Sequence, residues 1–113
     1  MPTPAPQPSL SDIIALAARG EVTLLDVREA AELAASGTAH GALHIPLSLV
    51  PIKADPKAPD FDARLSGRPI AVFCAAGARA GQAVQILSGM GLSAWNIGGF
   101  GQWAAAGGPV VRL

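Results

Sequence analysis

The chain carries no net charge: Lys+Arg number 8 and Asp+Glu 8 among 113 residues. Without an excess of one sign there is no long-range field to gather nucleic acid or anionic lipid, so binding to either is not expected. Cysteine is nearly missing. With Cys74 alone, an intrachain disulfide framework and a multi-cysteine zinc site are both impossible. No apolar run approaches the roughly 18–20 residues that a membrane helix requires. The start of the chain, with Pro2, Pro4, Pro6 and Pro8, lacks both the apolar stretch and the basic flank of a secretory signal. Residues 1–9 therefore read as a proline-rich extended arm ahead of one domain over residues 10–113. The expected location is the cytoplasm. A last scarcity is local: from Ala80 to Val111 no residue is charged. Such a stretch fits elements covered on most sides of a parallel sheet; an apolar surface covered by another protein is the other reading.

What is present suffices for one packed core, since 50% of residues are hydrophobic. Leu10, Ile13, Ile14 and Ala17 recur at helical spacing, with Ser11 available as a cap and Gly20 as a stop. Val22 to Val27 is β-rich and almost uniformly apolar, as in a strand buried on both faces. A helix is expected from about Glu29 to Ala35, its acidic residues Glu29 and Glu32 suiting the positive helix end, with Gly37 as terminator. Ala42 to Ile45 is a short strand closed by Pro46. The segment from Ser48 to Leu65 is broken by Pro51, Pro56 and Pro59 and holds only short helical pieces. Ile70 to Phe73 is a second buried strand, Arg79 to about Ser88 a helix, Ala94 to Ile97 a strand, and Phe100 to Ala106 a last helix. Strands alternating with helices predict an α/β layered fold with a mainly parallel sheet. Ligands of such sheets sit beyond the carboxyl ends of the strands. Cys74 follows the strand ending at Phe73.

The six residues Cys74-Ala-Ala-Gly-Ala-Arg79 join that strand to a helix. A turn of this length can aim several backbone N–H groups into one bowl, with the partial positive charge of the helix end behind them. Gly77 allows positive φ. A thiol in the bowl is favoured as the thiolate, the nucleophilic form. Ala75, Ala76 and Ala78 keep the bowl open and add no acid or base. Arg79 is a cation in a first helical turn, where it opposes the helix dipole by roughly 0.3–1 kcal/mol. An anion in the bowl would explain it, through charge-assisted hydrogen bonds from the guanidinium.

With these residues assembled, the sequence resembles the rhodanese family from about Leu10 to Pro109. The resemblance rests on Asp26-Val-Arg-Glu29, Gly41-Ala42 with Ile45-Pro46, Cys74-x-x-Gly-x-Arg79, and Gly98-Gly99 with Trp103, in that order. It implies a three-layer fold with a five-stranded, mainly parallel sheet and helices on both faces. It also implies a sulfurtransferase working by double displacement. Cys74 would take the sulfane sulfur of a small anionic donor such as thiosulfate, then pass it from the persulfide to cyanide, a small thiol or a protein thiol. No metal or organic cofactor is needed. The loop residues Ala75, Ala76, Gly77, Ala78 and Arg79 would bind the donor, while Asp26, Arg28, Gly98 and Gly99 support the loop. Two positions depart from the family pattern: Thr38 stands where a histidine is usual, and Ala80 where a serine often follows the arginine. His40 and His44 are read as structural or surface residues, and Trp95 and Trp103 as core or pocket wall.

Three other functions fit parts of the pattern. Cysteine phosphatases and arsenate reductases place five residues between Cys and Arg, whereas four lie between Cys74 and Arg79, a smaller ring better suited to sulfur. A non-catalytic binding module would be expected to have lost the nucleophile, which is present. A sulfur carrier dedicated to one protein partner is not separable from a general sulfurtransferase on sequence.

Overall fold

The computed structural model describes residues 7–113. Most of the expected proline-rich arm therefore lies outside the described residues. Of its last three positions, Ser9 caps the first helix and Gln7 donates its side-chain amide to the carbonyl of Asn96 at 3.0 Å.

Helix α1 spans Leu10–Ala18. Its cap is Ser9, whose hydroxyl accepts from the N–H of Asp12 at 3.1 Å. The expected cap, Ser11, instead lies inside the first turn: it follows Leu10, the first residue of the apolar stripe, and only Ser9 stands three residues before an acidic residue in the capping pattern. Strand β1 follows at Thr23–Asp26, and helix α2 at Ala30–Ser36. Gly37 then ends α2 in a positive-φ conformation. Two very short strands come next, β2 at Thr38–Ala39 and β3 at Leu43–His44. The proline-broken segment holds only a 3-10 turn (Leu47–Leu49), the one-turn helix α3 (Val50–Lys53) and another 3-10 turn (Ala63–Leu65). The rest alternates: β4 at Ile70–Cys74, α4 at Ala78–Gly89, β5 at Ala94–Gly99, α5 at Phe100–Ala105 and β6 at Val110–Val111.

The central sheet runs β3-β1-β4-β5 with all neighbours parallel. It has four strands rather than five. The remaining two, β2 and β6, form a separate antiparallel pair, Thr38 opposite Val111 and Ala39 opposite Val110. Because side chains alternate across a sheet, successive residues of β4 enter different cores. Ile70, Val72 and Cys74 face a layer containing α3 and α4, packed with Val50, Ala80, Ala83 and Leu87. Ala71 and Phe73 face the layer of α1 and α5, with Ile13 and Trp103. Two cores on opposite faces make the three-layer architecture. They also account for β1 and β4 being buried along their whole length.

From β1 the chain first goes to β3 on one side, then crosses to β4 on the other. This reversal is a switch point at the carboxyl ends of β1 and β4, the end at which such sheets hold their ligands. Asp26 and Phe73 are register partners at that end, and Cys74 is the next residue.

The charge-free stretch is accounted for by burial together with small neutral side chains. Ala80, Ala83, Leu87, Ile97 and Trp103 are buried, while its exposed positions include Gln82, Gln85, Ser88, Ser93, Asn96, Gln102 and three successive alanines, residues 104–106.

Candidate functional site

Strand β4 delivers Cys74 at its last position, and α4 begins four residues later at Ala78. Gly77 makes the junction at φ +108° and ψ −19°, a left-handed conformation that costs glycine little. The first N–H groups of any helix have no partner within it. Here they turn toward sulfur: Gly77 and Ala80 donate to Cys74 Sγ at 2.9 and 3.3 Å. Cys74 itself is 1% exposed, beneath the exposed Ala75, Ala76 and Ala78. Burial pushes the thiol pKa up. The N–H groups of Ala80, Gly77, Ala76 and Arg79 outweigh that burial and hold it below the ordinary thiol value, so the thiolate is favoured.

Two glycines of β5 close the back of the loop. A Cβ on Gly99 would lie 2.3 Å from the carbonyl oxygen of Ala75, and the register places Cys74 opposite Gly99. Gly98 has φ +91° and packs beside Gly77. The close backbone approach is at Gly99; a Cβ on Gly98 would instead meet the Gln102 side chain, at 2.0 Å.

Asn96 was not anticipated. Its amide donates to the Gly77 carbonyl at 3.0 Å and its carbonyl oxygen accepts from the N–H of Gly98 at 2.9 Å. One side chain thus ties the loop to the β5 turn. The available signal was an asparagine inside a strand, where that residue is depleted.

Asp26 and Arg28 form the floor beside the loop. Arg28 Nε and Nη2 bind the Asp26 carboxylate at 2.8–3.2 Å, and Asp26 also accepts from the N–H of Arg28 and from the Thr38 hydroxyl. The guanidinium further donates to the Gly37 carbonyl and Ser36 hydroxyl and lies 4.5 Å over the Phe100 ring. Every side-chain polar group of this buried pair has a partner. Thr38, at the position where histidine is usual, serves this network. His44 Nε2 sits 2.7 Å from the Arg28 carbonyl, and His40 is exposed. Trp103 is core: its indole N–H donates to the Pro109 carbonyl and its ring packs against Gly108.

Arg79 is brought to the loop but is not free. Its Nη1 and Nη2 donate to the two carboxylate oxygens of Glu32 on α2, at 2.7 and 2.9 Å. The Arg79 hydrogen bonds hold Glu32 at about 2 against its ordinary 4.5, with help from the N–H of Glu29. In return Glu32 raises the Arg79 pKa. The sequence presents Glu32 only as an acidic residue of a first helical turn, 47 residues from its partner.

This parallel sheet, with a cysteine in a backbone cradle at the switch between β1 and β4, defines a class of domain. A family model described as Rhodanese-like domain matches residues 9–106. The chain belongs to the rhodanese-like domain family. Among solved structures it is similar to a rhodanese-related protein of Thermoplasma volcanium (31% identity, 93% of this chain and 96% of that one, TM-score 0.72). It is likewise similar to a rhodanese from E. coli (31%, 81% and 99%, TM-score 0.63). A protein of unknown function from Rhodopseudomonas palustris, described as a possible tyrosine phosphatase, superposes with a TM-score of 0.80 at 26% identity, covering 98% of this chain and 99% of its own. No curated protein matches the chain. Among the described residues no helix is long and apolar enough to cross a membrane.

Proposed function

We propose that this protein is a cytoplasmic sulfurtransferase that carries sulfane sulfur on Cys74. The observation behind this reading is the set of backbone N–H groups converging on Sγ. They stabilise a thiolate before reaction and a persulfide after it, without reorganisation. In the first half-reaction the thiolate attacks the outer sulfur of a donor such as thiosulfate, an S–S bond forms, the donor's S–S bond breaks, and sulfite leaves with the electron pair. In the second, cyanide or a thiolate attacks the outer sulfur of the persulfide and regenerates the Cys74 thiolate. A protein thiol is an equally suitable acceptor, which makes a dedicated sulfur carrier a variant of the same chemistry. Because Cys74 is the sole cysteine, an internal disulfide cannot discharge the persulfide, and an outside acceptor is obligatory.

A phosphatase reading fits less well. Only four residues separate Cys74 from Arg79, and the guanidinium that would clamp a phosphate is engaged by Glu32.

The test is intact mass after incubation with thiosulfate, with and without cyanide. The expected result is a gain of one sulfur atom, absent in Cys74→Ser and reversed by cyanide as thiocyanate forms. Cys74→Ser should keep its unfolding free energy within about 1 kcal/mol of the parent. A Cys74→Ser protein that still transfers sulfur would sink the mechanism, and failure with thiosulfate, polysulfide and mercaptopyruvate alike would favour a binding module.

A further inference from the structure

We infer that Glu32 is a specificity-determining residue: by occupying Arg79 it makes the loop discriminate against doubly charged sulfur donors in favour of singly charged ones. This rests on the sulfurtransferase reading and goes beyond it in naming the donor class.

The geometry carries the inference. Arg79 is the first-turn cation of α4, and each of its terminal nitrogens donates an N–H to the Glu32 carboxylate. Glu32 is itself held in place, because Oε2 also accepts from the N–H of Glu29 at 2.8 Å as part of the α2 cap. The other arginine at this end of the sheet, Arg28, is buried and committed to Asp26, Ser36 and Gly37. It cannot turn outward without orphaning a buried carboxylate. Near the loop, then, Arg79 is balanced by Glu32, and the Glu29 carboxylate acts on Arg79 as well. A dianion approaching the Cys74 thiolate meets an already neutralised cation. To take the paired face of Arg79 it must displace Glu32, and at the remaining N–H groups it sits beside the Glu32 carboxylate. A monoanion feels about half of that repulsion at the same distance. The pair is a third exposed at each end, so the contact is exchangeable on an incoming anion rather than locked.

Two donors with the same reacting bond separate charge from chemistry. Thiosulfate gives Cys–S⁻ + S–SO₃²⁻ → Cys–S–S⁻ + SO₃²⁻. An alkanethiosulfonate gives Cys–S⁻ + S–SO₂R⁻ → Cys–S–S⁻ + RSO₂⁻. In each case the thiolate attacks the outer sulfur and the sulfur oxyanion leaves with the bonding pair.

The experiment measures kcat and KM for both donors, with cyanide as acceptor, in the parent protein, Glu32→Gln, and Glu32→Gln/Arg79→Ala. Glutamine at position 32 retains an acceptor for the Glu29 N–H, so the α2 cap survives. In Glu32→Gln, kcat/KM for thiosulfate should rise about three- to tenfold, chiefly through KM, the range for removing one partly screened charge and its ion pair. The gain for the thiosulfonate should be smaller, roughly two- to threefold, half the effect on a logarithmic scale for half the charge. Both gains should vanish in the double variant, since they require the freed guanidinium. Equal changes for both donors, a loss with thiosulfate, or a gain that persists without Arg79 would overturn the inference while leaving the sulfurtransferase reading intact. A parent protein that forms no persulfide with either donor would overturn the inference; the sulfurtransferase reading falls with it only if polysulfide and mercaptopyruvate fail as well.

Discussion

Two arginine–carboxylate pairs stand at the same end of the sheet, and their surroundings give them opposite characters. Asp26–Arg28 has side-chain exposures of 0 and 4%, whereas Glu32–Arg79 has 34 and 33%. The first is assembled by residues two apart and sealed under Phe100 and Thr38; its carboxylate and guanidinium also hold loop N–H and carbonyl groups of two segments. The second joins helices from different parts of the chain and faces solvent. Removing a partner from a buried pair strands a charge, while an exposed pair contributes little to stability. One pair therefore frames the site, and the other is available for chemistry beside it.

Breaking each pair should display the contrast. Asp26→Ala leaves the Arg28 guanidinium buried without its anion and should lower the unfolding free energy by about 3–5 kcal/mol. Against the roughly 5–15 kcal/mol of an ordinary domain this is a large fraction, measurable by urea denaturation. If Asp26→Ala unfolded at the parent's midpoint, the framing role would be wrong. Gly99→Ala probes the wall between them. A methyl 2.3 Å from the Ala75 carbonyl forces the loop or β5 to move, at about 1–3 kcal/mol by the usual cost of overpacking. Persulfide formation should slow on the order of 100-fold, because the N–H groups no longer converge on sulfur; unchanged single-turnover rates would show the close approach to be incidental.

The smallest effect belongs to Glu32–Arg79, and its sign follows from the depressed carboxyl. Glu32 falls from its ordinary 4.5 to about 2 on folding. Its contribution is therefore full above the unfolded value and fades as pH drops through the window toward about 2. Thermal melts between pH 5 and pH 2.5 should show the parent losing stability more steeply than Glu32→Gln. At pH 7 the two should differ by no more than about 1 kcal/mol, since the pair is partly exposed. Identical slopes would mean that the carboxylate gains nothing from Arg79 in solution.

The same contrast explains how much could be read from sequence. Asp26 and Arg28 were legible because they flank one strand end, and β1 and β4 because a largely apolar run marks a buried parallel strand. The loop from Cys74 to Arg79 was legible as well, since one glycine and one helix start determine its local geometry. What escaped depends on distant partners. The antiparallel pair of β2 and β6 joins two dipeptides more than 70 residues apart, and two residues carry no periodicity. Arg79 was expected to face an anion in the bowl; its pairing with a carboxylate brought by α2 was not foreseen. The role of Asn96 appears only when β5 lies against Gly77.

The depth of Cys74 has a further consequence, for the redox behaviour of the empty protein. A sulfur 1% exposed below a rim of alanines cannot meet the same atom of a second copy at the roughly 2 Å separation of a disulfide. Oxidative dimerisation is thus obstructed by shape, in a chain whose lone thiol would otherwise invite it. One added sulfur extends the side chain by about that same bond length, toward the level of the rim. In the proposed cycle the sulfur-free form is sheltered from other thiols, and the loaded form is presented to them.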